Sequence, residues 1–126
     1  MIDVSGAAVP RFSRRDIAAF AQRVMRAARA KGDLSIAFVD DAAMRALNKR
    51  FRRQDRTTDV LTFEWEIVIS LEQAKRQAAD EGHSLATEVR YLITHGVLHA
   101  MGYDHETDDG EMNALEMKVR ARVGLE

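Results

Sequence analysis

The sequence predicts an α+β domain of mixed α/β character: one compact unit over residues 1–126, with a small mixed sheet of about four strands packed with about five helices. Three observations point there. Stretches with apolar residues three and four apart are interleaved with short β-branched runs. Residues suited to helix N-caps precede several of the helical stretches. A chain of 126 residues is long enough for one real core and short enough that its helices must share one sheet.

The elements follow in order. Met1–Val4 reads as a short edge strand, followed by an Ala/Gly/Pro-bearing connection through Pro10. Ser13 suits the N-cap of a helix carrying Ile17, Phe20, Ala21, Val24 and Ala28 on one face, ended by Gly32-Asp33. Leu34–Val39 is a mostly apolar strand. Asp40 or Asp41 caps the next helix, whose inward residues are Met44, Leu47 and Phe51 and which delivers Arg52 at its exit. Val60–Trp65 alternates, with Leu61, Phe63 and Trp65 on one face, and Ile67-Val68-Ile69 suits another strand. Glu64–Glu66 marks an interruption or bulge between them, with one long strand as the alternative. Ser70 with Gln73 resembles a capping box for a helix through Ala74 and Ala78. A helix from Leu85 to Met101 follows, with Leu85, Val89, Leu92, Ile93, Val97 and Ala100 inward. After an acidic turn, Met112, Leu115, Val119 and Val123 line a closing helix. Helical crossovers allow parallel strand pairs and the Phe63–Ile67 junction allows an antiparallel hairpin. Strand order is not contained in the spacing.

The stretch His95-Gly96-Val97-Leu98-His99-Ala100-Met101-Gly102-Tyr103-Asp104-His105 holds three of the four histidines. His95 and His99 lie one helical turn apart on one side, and Gly102 can take the left-handed conformation that ends the helix and returns His105 toward them. Three imidazoles at these intervals read as a catalytic zinc site with an open fourth position, one zinc ion per chain. Metallopeptidases of the extended HExxH type share such spacing but carry glutamate after the first histidine. Here Gly96 stands instead and supplies no base, which argues against ordinary proteolysis. His83, between Gly82 and Ser84, reads as a solvated loop residue without a metal role. Asp104 caps the turn or orients an imidazole, Tyr103 reads as packing ahead of catalysis, and Thr58 and Asp59 shape the entry to a strand or, alternatively, the loop below Arg52.

Composition excludes several classes. Without cysteine there are no disulfides or thiolate ligands, and no apolar run approaches a membrane span. The opening Met1-Ile2-Asp3-Val4 has no cationic-then-apolar signal pattern, which favours the cytoplasm. The net charge of −1 divides into +6 over residues 1–60 and −7 over residues 61–126. Its densest positive patch is Arg45, Lys49, Arg50, Arg52, Arg53 and Arg56. Lys49, Arg50, Arg53 and Arg56 are candidate RNA-phosphate contacts, with salt-dependent binding as the consequence.

The histidine segment resembles that of the YbeY-type rRNA maturation factors, which are zinc-dependent endoribonucleases. Leu47-Asn48-Lys49-Arg50-Phe51-Arg52 followed by Thr58-Asp59-Val60-Leu61-Thr62-Phe63 resembles that family's second motif. The resemblance runs from about Ser35 to the C-terminal helix. It implies that His95, His99 and His105 hold zinc and that Arg52 is the functionally important arginine facing the site. It also implies cleavage of single-stranded RNA in 16S rRNA 3′-end maturation and ribosome quality control, with the small ribosomal subunit or its factors as partners and no membrane. The chain departs from the family pattern after Phe63, where Glu64-Trp65-Glu66 replaces a longer loop with a Gly-Asp pair.

In the mechanism this implies, zinc acidifies water or polarises a phosphoryl oxygen and Arg52 stabilises charge on the scissile phosphate. Two other classes are compatible with the residues: a ribosome-associated RNA-binding or assembly factor with a mainly structural zinc, and a metal-dependent peptide or amide hydrolase.

Overall fold

The computed structural model describes residues 1–104 and 106–125. The chain forms β1 (Ile2–Gly6), α1 (Arg14–Ala27), β2 (Leu34–Val39), α2 (Asp41–Arg52), β3 (Val60–Phe63), β4 (Glu66–Ser70), α3 (Leu71–Glu81), α4 (Leu85–Ala100) and α5 (Glu111–Arg122). This is one compact α+β domain with a mixed four-stranded sheet and five helices, as expected from the sequence.

The sheet runs in the order β1-β2-β4-β3. β2 is parallel to both β1 and β4, and β3 closes the far edge antiparallel to β4, with Val60 opposite Ile69 and Phe63 opposite Glu66. Glu64-Trp65 is therefore a tight two-residue connection, not a bulge, and Glu64 adopts a left-handed φ of 52°. Trp65 leaves the strand to which its alternation had assigned it, because the reversal begins one residue earlier.

The register also fixes which face each residue occupies. Leu34, Ile36, Phe38, Ile67 and Ile69 bury one face of the sheet in a core shared with Ile17, Phe20 and Val24 of α1 and Val89, Ile93 and Val97 of α4. Val60 and Thr62 share that face, while Leu61, Phe63 and Val68 point to the opposite one. There α2 packs against β4, with Met44 fully buried and Leu47 half-buried.

Caps set the helix entries. The side chains of Ser13, Asp40, Ser70 and Ser84 accept from the backbone N–H three residues on. Ser70 Oγ accepts from Gln73 N–H at 3.3 Å, while the Gln73 side chain turns to Arg76, from which its Oε1 accepts. Asp41, the first residue of α2, gathers the neighbouring elements. Its Oδ1 accepts from Ser70 at 2.7 Å and Thr57 at 3.1 Å, and its Oδ2 from Arg76 at 2.5 Å. Burial alone would raise this carboxyl, but the hydrogen bonds from Arg76, Ser70 and Thr57 and the Arg76 charge hold it below the ordinary value of 3.8.

One expectation about side chains changes. Phe51, assigned to the buried face of α2, is 52% exposed, while Asn48 is buried. Phe51 meets Phe63 of the edge strand β3 at 4.8 Å between ring centroids, and that contact leaves about half of it open to solvent. Among the described residues no helix is long and apolar enough to cross a membrane.

Candidate functional site

Where α4 passes the edge strand β3, the fold leaves a cleft of about 260 Å³ lined by Arg52, Asp59, Val60, Leu61, Thr62, His95 and His99. Three elements supply it. α4 carries the two histidines one turn apart, their ring centroids 4.5 Å from each other and their planes 78° apart. The exit of α2 supplies Arg52, and β3 with its entry residue Asp59 supplies the wall. The resemblance implied an arginine facing the histidines, and Arg52 lines this cleft together with His95 and His99.

Arg52 is held there by backbone. Arg53 ends α2 in the left-handed conformation, φ 56°, and its N–H donates to the carbonyl of Asn48. The buried Asn48 side chain reaches forward, Nδ2 donating to the Arg56 carbonyl at 2.9 Å, so the loop after the helix is pinned to the helix itself. Sequence reasoning missed Asn48 as a positioning residue. Its signal was a polar side chain four residues after Met44, on the inward stripe of the helix. Asp59 fastens the other side: its Oδ1 accepts from Val60 N–H at 2.8 Å and its carbonyl from Ser70 N–H at 2.9 Å. That is the strand-entry role expected of it.

The imidazoles are oriented from below. His95 Nδ1 lies 2.9 Å from Oε1 of Glu116, a buried carboxylate on α5 whose Oε2 accepts from Arg120 at 2.5 Å. A carboxylate only accepts, so Nδ1 carries the proton and a neutral His95 keeps its lone pair on Nε2. His99 Nε2 is 2.9 Å from that Nε2 and is then the donor of the pair. Glu116 was missed as well. It sits four residues after Met112 and three before Val119, a charge on the buried stripe of α5, and such a charge requires partners.

The zinc expectation is corrected. Among the described residues no group of three His, Cys, Asp or Glu side chains could hold a metal ion. His95 and His99 bring two nitrogens together and hydrogen-bond to each other, whereas a zinc centre takes three protein ligands or more. His105, the expected third ligand, lies outside the described residues. The described side chains do not fit the ion. The zinc-dependent qualifier therefore falls from the family resemblance, the nuclease mechanism, the structural-zinc assembly factor and the metal-dependent peptidase alike.

Other expected residues find definite places. Gly102 has φ 100° and follows the end of α4, as expected. Asp104 Oδ1 accepts from Glu106 N–H at 2.9 Å, so it caps the turn, and the role of orienting an imidazole belongs to Glu116. Gly96 is buried, and a Cβ there would come within 2.8–3.0 Å of the Ile67 side chain. That position faces the sheet and not the cleft, which gives the absence of a glutamate a packing reason. His83 is not a solvated residue. Its Nε2 lies 2.6 Å from Oε1 of the buried Glu88, and its ring is 5.5 Å from that of Tyr91.

The basic candidates divide. Lys49, Arg50 and Arg53 are exposed at the C-terminal end of α2, close in sequence to Arg52. Arg56 donates through Nε and Nη2 to Gln54 Oε1, and Arg45 pairs with Asp55 at 2.8 Å, which lowers the Asp55 carboxyl and raises the Arg45 guanidinium.

Comparison with known proteins matches residues 8–124 to the profile of one family, described as Endoribonuclease YbeY. The endoribonuclease YbeY of Koribacter versatilis is 42% identical over 120 residues, covering 90% of this chain and 79% of the relative. That of Nautilia profundicola is 43% identical over 102 residues, covering 74% and 73%. The solution structure of TM1509 from Thermotoga maritima superposes with a TM-score of 0.71 at 26% identity, covering 98% of this chain and 89% of that one.

Proposed function

The chain belongs to the endoribonuclease YbeY family, and from that membership and the cleft at β3 we propose that it cleaves phosphodiester bonds of single-stranded ribosomal RNA during rRNA maturation. The compartment that suits this work is the cytoplasm, and the partners are rRNA and the small ribosomal subunit or its factors. The observation that carries the reading is the convergence of one guanidinium, Arg52, with two imidazoles, His95 and His99, in a cleft on the sheet edge.

Each group has a task. Arg52 presents a planar fork to the non-bridging oxygens of the scissile phosphate and stabilises the charge they gain in the transition state. His95, its Nδ1 proton held by Glu116, keeps a basic Nε2; once substrate displaces the His99 N–H from it, that nitrogen takes the proton of the attacking hydroxyl while His99 Nε2–H protonates the leaving oxygen as its P–O bond breaks. Lys49, Arg50, Arg53 and Arg56 lie outside the cleft lining, and their contribution is phosphate attraction along the strand.

The test is Arg52→Ala. Single-turnover cleavage of a single-stranded rRNA fragment should fall by about 100-fold or more, while equilibrium affinity for the same RNA changes far less. Equal losses in both would reduce Arg52 to a phosphate anchor. An undiminished cleavage rate would put the reactive centre elsewhere and favour a role in RNA binding or ribosome assembly.

A further inference from the structure

We propose that Phe51 and Phe63 form a stacking platform for one unpaired nucleobase of the bound RNA, on the opposite face of edge strand β3 from the His95–His99 pair. The inference rests on the RNA reading above and adds to it the means of selecting single strands.

Phe51 is a large apolar side chain left 52% exposed on the last turn of α2, next to Arg52. It meets Phe63, whose place on that face follows from its alternation with Thr62 and its register opposite Glu66. The ring centroids are 4.8 Å apart and the planes 58° apart, so the pair forms an angled shelf without closing the open part of Phe51. The guanidinium carbon of Arg50 lies 5.1 Å from the Phe51 centroid. Phenyl rings and a planar guanidinium are the surfaces on which unstacked bases lie.

The surroundings favour a nucleotide over an apolar peptide. Lys49, Arg50 and Arg53 are exposed on the same helix end, and a phosphodiester chain complements them. Continuity with the cleft supplies direction. Arg52 lines the cleft and Phe51 is its chain neighbour, so a strand whose phosphate meets Arg52 can fold a flanking base over the edge of β3 onto Phe51. A base held in a duplex has no free face to offer and would gain nothing from the shelf.

The experiment is fluorescence anisotropy at fixed salt with two ligands, an unstructured 2′-O-methyl oligoribonucleotide and a duplex of the same length and chemistry. Phe51→Ala should weaken single-strand binding about tenfold and leave duplex binding unchanged. Phe51→Trp should keep or improve the single-strand affinity. Phe51→Leu, which retains apolar contact with Phe63 but has no ring to stack, should behave like the alanine variant, with circular dichroism reporting that each variant folds. Equal losses on both ligands, or a leucine variant as good as the parent, would overturn the platform. So would an unaltered single-strand affinity for Phe51→Ala. If the parent itself binds neither ligand, the RNA reading fails and takes the platform with it; if the parent binds and only the Phe51 variants are indifferent, the platform fails alone.

Discussion

The floor of the cleft and its rim are built on opposite principles. On the floor, His95 rests on a carboxylate that is itself buried and paired, so the imidazole's position is determined by groups on two helices. On the rim, Lys49, Arg50 and Arg53 are exposed at one helix end, outside the cleft lining. The floor costs desolvation and gains fixed geometry. The rim gains reach and long-range attraction at little structural cost, and its effect depends on ionic strength. Chemistry at one bond and capture of a long flexible anion ask for these two different constructions.

The contrast can be broken most sharply at Glu116. Replacing it with Ala strands His95 Nδ1 and leaves Arg120 without its carboxylate, and should cost about 2–3 kcal/mol in urea unfolding, less than a fully buried pair because 28% of the Arg120 side chain is exposed. Glu116→Gln, which keeps an acceptor, should cost less. A change within about 0.5 kcal/mol for the alanine variant would mean that the floor is no more determined than the rim.

Acid should reveal how the rim helix is anchored at its other end. Because the Asp41 carboxyl is held below 3.8 in the fold, its contribution is fully present above that value and is lost as pH falls through the lower folded value. Asp41→Asn should therefore be less stable than the parent at neutral pH, and the gap should narrow below about pH 4, followed by thermal unfolding across pH. A constant gap would assign the effect to packing instead of charge.

The smallest effect on folding belongs to the rim itself. Arg50→Gln with Arg53→Gln should leave stability within about 0.5 kcal/mol. In salt-titrated binding to single-stranded RNA, the slope of log affinity against log salt should flatten by about 1.4, near 0.7 for each phosphate that is no longer neutralised. Superimposable titrations would return both arginines to ordinary solvation.

What was legible in the sequence was local. Ser13, Asp40 and Ser70 act as caps because capping involves only the next three residues, and His95 and His99 meet because four residues make about one helical turn. Phe51 was misplaced because periodicity reports which side of a helix is apolar, not how much of each position its neighbours will cover. Glu116 was passed over for a related reason. Its stripe was read for its apolar members, and its partners His95 and Arg120 include one on another helix. The zinc expectation joined a sound local pair to His105, which lies outside the described residues, and the described side chains form no metal-binding group of three. Strand order β1-β2-β4-β3 depends on pairings across tens of residues, and no short window contains it.

The contact between Gly96 and Ile67 bears on what this scaffold can become. Installing an acid after the first histidine, the arrangement used by HExxH peptidases, would drive a side chain into a fully buried isoleucine on β4. That acid would also project toward the sheet, away from the imidazoles it was meant to serve. A single substitution therefore leads to an overpacked core before it leads to a new activity. Reaching the peptidase layout would ask the Ile67 side chain to give way as well, so the missing space beneath Gly96 ties the helix face to its present sheet partner.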